Sequence, residues 1–164
     1  MRYLVLFAIC LSLVGVGYAQ EQATTFILVR HAEKISDGSK DPELTPEGSV
    51  RAATLARMLA QAKVDAIFST PYARTQKTVT PLSNASGIKI QTYDASKFDY
   101  LDDALKNYSG GTIVICGHSN TIPGAANYLL GKNELKNFED SEYGNLLIVT
   151  VTAKGNGKLV RLNY

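Results

Sequence analysis

The chain has 164 residues, with 17 Lys plus Arg against 15 Asp plus Glu and a formal net charge of +2. That length suits one domain with a substantial core and excludes two ordinary ones. Apolar residues at 45% and charged ones at 20% exclude a disordered chain, and no run of Lys and Arg is present to hold nucleic acid or an anionic membrane.

Arg2 supplies a short positive segment, residues 3–16 an apolar one, and Gly17-Tyr18-Ala19 a small-x-small site before Gln20. This is the pattern of a secretory signal peptide. Residues 1–19 are expected to be cleaved, leaving residues 20–164 as a secreted or periplasmic domain without a membrane span. The alternative is an uncleaved anchor, but the apolar segment is shorter than the roughly 20 residues that cross a bilayer. Cys10 leaves with the signal, so Cys116 has no disulfide partner, and its place in an apolar run predicts a buried, inert thiol. One cysteine and two distant histidines match no zinc spacing, and neither a metal nor a cofactor is expected.

Phe26-Ile27-Leu28-Val29 has the length and β-branched content of a fully buried strand, and it ends in Arg30, His31 and Glu33. In open α/β sheets the ligand crevice lies beyond the carboxyl ends of the strands, so this strand delivers ionisable groups where a site would be. The alternative is a solvated turn. Residues 35–44 have loop composition, with Gly38, Ser39, Asp41 and Pro42. Thr45-Pro46 then reads as an N-cap followed by proline at the first helical position. Val50, Ala53, Leu55, Ala56, Met58, Leu59 and Ala62 repeat with helical spacing and set the expected apolar face.

Residues 64–68 predict a second buried strand. Ser69-Thr70-Pro71 repeats the cap-then-proline pattern, so a second helix is expected from about Pro71 toward Ser83, with Arg74 in its first turn. A cation there opposes the helix dipole unless an anion sits between them; the alternative is an exposed surface arginine. Residues 87–93, alternating through Ile88 and Ile90, predict a third strand with one face covered and Asp94 at its end. A short helix is expected over 98–108, with Phe98, Leu101, Ala104 and Leu105 on one face.

Gly110-Gly111 leads into a second fully buried strand, 112–116, which ends in Gly117-His118-Ser119-Asn120. Asn120 or Thr121 is expected to cap the next helix, and Gly131 to stop it. Residues 145–151 and 158–162 predict antiparallel strands at one end of the sheet, joined by the hairpin chemistry of Lys154-Gly155-Asn156-Gly157. Both histidines of the chain therefore stand immediately beyond a buried strand. Together Arg30, His31, Arg74 and His118 form a dianion receptor that fits phosphate better than carboxylate, because many donors surround a tetrahedral group.

Leu28-Val29-Arg30-His31-Ala32-Glu33, Leu44-Thr45-Pro46-Glu47-Gly48, Ser69-Thr70-Pro71-Tyr72-Ala73-Arg74-Thr75 and Gly117-His118-Ser119-Asn120 resemble, in that order, the motifs of the histidine phosphatase superfamily, also called phosphoglycerate mutase-like. The resemblance implies a three-layer α/β sandwich with a mostly parallel central sheet and helices on both faces. It also implies catalysis through a covalent phosphohistidine. By residue, His31 matches the nucleophile, and Arg30, Arg74 and His118 match the pocket around the phosphoryl oxygens. His31 must then be neutral at its attacking nitrogen, while His118 is expected to be a protonated donor, because an anionic ligand favours charge on one of the two.

Two departures from the pattern stand out. Ala32 replaces a glycine common in the family. The leaving-group acid has no recognisable motif: Asp94 is the nearest candidate, Asp37 and Glu33 are others, and Glu33 also reads as a structural partner for a nearby cation. Asp94 reads equally as a cap for the segment after it. Compact members resembling the bacterial phosphohistidine phosphatase SixA lack such an acid, because a good leaving group needs less proton donation. The expected substrate is a small-molecule or protein-bound phosphate, and the sequence leaves its identity and the oligomeric state open. A phosphomutase is the alternative within the enzymes, and a non-catalytic phosphate- or phosphoprotein-binding module is the alternative outside them.

Overall fold

The computed structural model describes residues 22–164, and the expected signal segment lies outside the described residues. Strand β1 (Thr24–Arg30) runs through the middle of a six-stranded sheet, followed by α1 (Pro46–Met58), β2 (Ala66–Ser69), α2 (Ala73–Ser86), β3 (Ile90–Thr92), α3 (Asp99–Asn107), β4 (Thr112–Gly117), α4 (Thr121–Leu130), β5 (Asn145–Ala153) and β6 (Asn156–Asn163). The spatial order is β3-β2-β4-β1-β5-β6. The pairs β1–β4, β2–β4 and β2–β3 are parallel, while β5 and β6 close one side as an antiparallel hairpin. The expected α/β sandwich with a mostly parallel sheet is the fold observed.

Alternation along the strands feeds two cores. Phe26 and Leu28 of β1 and Ile113 and Ile115 of β4 face one side, against Leu101 and Ala104 of α3 and Ile122, Ala125 and Leu129 of α4. Ile27, Val29, Val114 and Cys116 face the other, against Leu55 and Ala56 of α1, Leu59 just after it, and Val79 and Leu82 of α2. Both faces of β1 and β4 are thus covered, as their uninterrupted apolar runs require. Cys116 is fully buried, and burial drives its thiol far above the usual range, which makes it inert.

The register then fixes the site. Arg30 pairs with Gly117 and Ser69 with Cys116, so β1, β4 and β2 end level with one another. The residues that follow, His31, His118 and Thr70, emerge at one edge.

Three local expectations are corrected. Helix α1 begins at the Thr45 cap, whose hydroxyl accepts from Gly48 N–H, but its buried face is Gly48, Ala52, Leu55 and Ala56. Val50, Ala53 and Met58 face solvent, while Gly48 lies against the backbone of Glu33 in the turn after His31. Helix α2 begins at Ala73, not Pro71, and continues through Pro81 to Ser86; its N-cap Tyr72 makes no side-chain cap bond. Thr70 lies outside the helix and turns its hydroxyl elsewhere. At α4, Asn120 occupies the cap position without a side-chain bond, and Thr121 Oγ1 instead accepts from the His118 backbone N–H at 2.9 Å. Among the described residues no helix is long and apolar enough to cross a membrane.

Candidate active site

His31 continues the β1 ladder, its backbone N–H donating to the Gly117 carbonyl at 2.9 Å. Its ring is buried, and Nδ1 lies 2.8 Å from the Ala32 carbonyl oxygen. A carbonyl only accepts, so Nδ1 carries the hydrogen and Nε2 carries the lone pair. The turn that makes this contact is fixed from behind, where Ala32 N–H donates to the buried Thr78 hydroxyl of α2 at 2.9 Å. Backbone geometry thus selects the tautomer in which Nε2 is the nucleophilic atom.

Arg30 is 3% exposed. Its Nη1 donates to the carbonyls of Glu139, Asp140 and Glu142 at 2.8, 3.2 and 3.2 Å, and its guanidinium lies 4.2 Å from the centre of the Tyr143 ring. The segment 139–143, between α4 and β5, therefore anchors this cation. Arg30 Nε is buried with no hydrogen-bond partner among the described residues, a donor left unsatisfied until an acceptor arrives.

Arg74 falls in the first turn of α2, as expected. Its guanidinium stacks 4.4 Å above the Tyr72 ring and stands 3.6 Å from Asp41 Oδ1. The same Asp41 oxygen accepts from Ala73 N–H at 2.9 Å. An anion does sit between this cation and the helix end, and it is a side chain of the 35–44 loop.

His118 enters from the end of β4. Its ring centre is 5.5 Å from that of His31 and 5.3 Å from that of Tyr72. Nε2 lies 3.1 Å from the Thr70 hydroxyl, which is itself 2.8 Å from the Thr75 hydroxyl. Burial, with the cations around them, lowers the pKa of both His31 and His118 to about 4. For His31 the first cause is burial, followed among the opposing charges by Arg30, His118 and Arg74; for His118 it is burial, then Arg74 and Arg30. Without an anionic ligand both rings are therefore uncharged near neutral pH, and the expected charge on His118 depends on the dianion. A bound dianion would oppose that lowering.

The acid candidates separate. Glu33 points away from the pocket and grips Arg51, with Nη2 at 2.7 Å and Nε at 3.0 Å from Oε1, which holds its carboxyl below the usual range. Arg51 also donates to Tyr164 O. Asp37 accepts from Ser39 N–H in an exposed turn. Asp94 does reach the site's margin. A cleft of about 590 Å³ beside His118 is lined by Tyr72, Tyr93, Asp94, Ser96, Asn120 and Thr121 among others. Asp94 is fully exposed there, and its Oδ1 accepts from Ser96 N–H at 2.9 Å, which lowers its pKa. That contact fits the capping role, and an exposed carboxyl held ionised is a poor proton donor.

Thr70, Thr78, Tyr72, Tyr143 and Asp41 complete the site, and none of them is given a role there in the sequence reading. Among the described residues no three or more His, Cys, Asp or Glu side chains gather where they could hold a metal ion.

Comparison with known proteins places this geometry. The model of the histidine phosphatase superfamily (branch 1) matches residues 26–96, which include Arg30, His31, Arg74 and Asp94; His118 lies beyond the match. A Hydrogenobacter thermophilus protein whose name proposes a phosphoserine phosphatase is 41% identical over 69 residues, covering 38% of this chain and 34% of the relative. The chain thus spans about a third of that relative's length. Among solved structures, the protein histidine phosphatase SixA complexed with tungstate superposes with a TM-score of 0.70 at 16% identity, covering 85% of this chain and 96% of that one. A mycobacterial glucosyl-3-phosphoglycerate phosphatase superposes with a TM-score of 0.68 at 13% identity, covering 87% and 99%. At such identities the structural likeness is one of fold.

Proposed function

We propose that this chain, whose residues 26–96 match the histidine phosphatase superfamily (branch 1), is an exported, metal-independent phosphatase of that superfamily that works through a covalent phosphohistidine on His31. The observation that carries the proposal is the His31 ring. Its Nδ1 hydrogen is tied to the Ala32 carbonyl, so the Nε2 lone pair is available among Arg30, Arg74 and His118. Export rests on residues 1–19 read as a signal peptide.

In the first step the Nε2 lone pair attacks phosphorus, an N–P bond forms, and the bond from phosphorus to the leaving oxygen or nitrogen breaks with its electron pair. Arg30 and Arg74 offset the charge on the phosphoryl oxygens, and the dianion favours proton uptake by His118, which can then donate to one of those oxygens. The Nδ1–H bond to Ala32 stabilises the positive ring that forms. In the second step water attacks phosphorus and the N–P bond breaks with its electrons returning to Nε2; one water proton stays on the departing phosphate and the other goes, directly or through solvent, to the expelled leaving group. Among the described residues Asp94 is the only carboxylate lining the cleft, and, exposed and ionised, it is a poor proton donor, so leaving groups that need little protonation are handled best.

The test is turnover of p-nitrophenyl phosphate. Hydrolysis that resists EDTA and is blocked by vanadate supports the proposal. Binding of phosphate without turnover of any phosphomonoester or phosphoramidate would make the protein a binding module instead.

A further inference from the structure

The two ends of the site carry opposite charge. The phosphate end holds Arg30, Arg74 and two imidazoles, with Arg30 3% exposed. Among the described residues the cleft beside His118, where a leaving group would extend, is lined by no Lys or Arg, and Asp94 is its one side chain charged near neutral pH when no dianion is bound, with Lys97 acting on it from outside the lining. Beyond it a second cavity of about 410 Å³ shares Thr92, Tyr93 and Asp94 with the first, and its only other charged lining residue is Asp103. Asp94 enters no ion pair among those formed by the described residues. The remaining polar groups of the first cleft, Ser96, Asn120 and the Tyr72 hydroxyl among them, are neutral.

We propose that the leaving group of the substrate carries an ammonium ion, recognised by Asp94 across the cleft from His118. A substrate with a phosphate dianion at one end and a cation at the other matches the polarity of the site. A leaving group with a carboxylate or a second phosphate would meet Asp94 and Asp103, whose charge is offset only in part by Lys97, which lies outside the cleft lining. In this role Asp94 is a specificity residue that touches the leaving group, not a proton donor. Its ionised state at neutral pH, maintained by the Ser96 N–H, suits the one task and not the other.

This inference rests on the phosphatase proposal, and its test separates the two. Three aryl phosphates with nearly the same phenol as leaving group differ only in distal charge: tyramine phosphate, 4-ethylphenyl phosphate and the phosphate of 3-(4-hydroxyphenyl)propionate. Because Asp94 is exposed, the expected preference in kcat/KM is roughly fivefold to tenfold for the ammonium over the carboxylate, with the neutral ester between, and it shrinks in high salt. In Asp94→Asn the spread should narrow to within about twofold. A phosphotyrosyl peptide with an adjacent lysine, run alongside, tells a free amine from a protein-borne one: whichever outpaces the neutral ester more is the better match. Hydrolysis of p-nitrophenyl phosphate with equal rates on all three esters, or faster rates on the carboxylate, overturns the inference while leaving a phosphatase in place. A spread that survives unchanged in Asp94→Asn removes Asp94 from the account. No turnover of any ester, p-nitrophenyl phosphate included, overturns both.

Discussion

Acidification tests the burial of the nucleophile. An ordinary imidazole titrates near 6.5, and His31 in the folded protein near 4. A group with its folded pKa below its unfolded one binds fewer protons when folded, so its contribution to stability is full above pH 6.5 and is lost as pH falls toward 4. Going from pH 7.5 to pH 4.5 should therefore cost the fold roughly 2 to 3 kcal/mol through His31. The ring is only 3% exposed, so solvent does little to screen this term. The carboxylates titrate as well, so the comparison is made against His31→Asn, a neutral ring substitute of similar size that cannot take the proton. Urea unfolding at the two pH values should show the wild-type protein losing about 2 to 3 kcal/mol more than the variant on acidification. The His31 ring proton signals should stay fixed between pH 8 and pH 5.5 without ligand. A ring that titrates near 6.5, with equal acid losses in both proteins, would refute the reasoning.

Three further outcomes follow from named contacts. Thr70→Val removes the hydroxyl 3.1 Å from His118 Nε2 and should lower kcat/KM roughly threefold to tenfold, with recovery in Thr70→Ser; wild-type kinetics would mean the hydroxyl does not orient the ring. Gly48→Ala would bring a Cβ onto the Glu33 carbonyl, closer than atoms approach, and should cost about 1 to 3 kcal/mol in the urea midpoint; an unchanged midpoint would contradict the packing of α1 on the turn after His31. Glu33→Gln weakens a half-buried pair with Arg51 and should lower stability by about 1 kcal/mol while vanadate affinity holds; loss of vanadate binding at full stability would put Glu33 in the pocket.

What could be seen in the sequence was whatever local pattern dictates. The apolar runs of β1 and β4 are strands because both of their faces are covered, and a polar group placed directly after such a run must emerge at the sheet edge, which made Arg30, His31 and His118 visible. Thr45-Pro46 worked as a cap because its hydroxyl reaches an N–H three residues on. The same pattern misled at Thr70-Pro71, where a neighbour distant in sequence, His118, takes the hydroxyl and the helix starts later. Val50 and Met58 looked like core by hydrophobicity, but the buried face of α1 carries the small Gly48 and Ala52 instead, with Gly48 against the Glu33 backbone. Tyr143 and the carbonyls of 139–142 carry no motif: they matter because β5 lies beside β1, a long-range fact. The charge on His118 depends on partners of the same long-range kind, since burial and two arginines that converge only in the fold oppose it until a dianion binds.

The covalent intermediate is the central claim. Protein quenched during turnover and digested should yield an acid-labile, base-stable phosphate on the peptide containing His31, absent from His31→Ala. Phosphate that persists in His31→Ala, or an enzyme that turns over with no phosphohistidine trapped at any quench time, would contradict it.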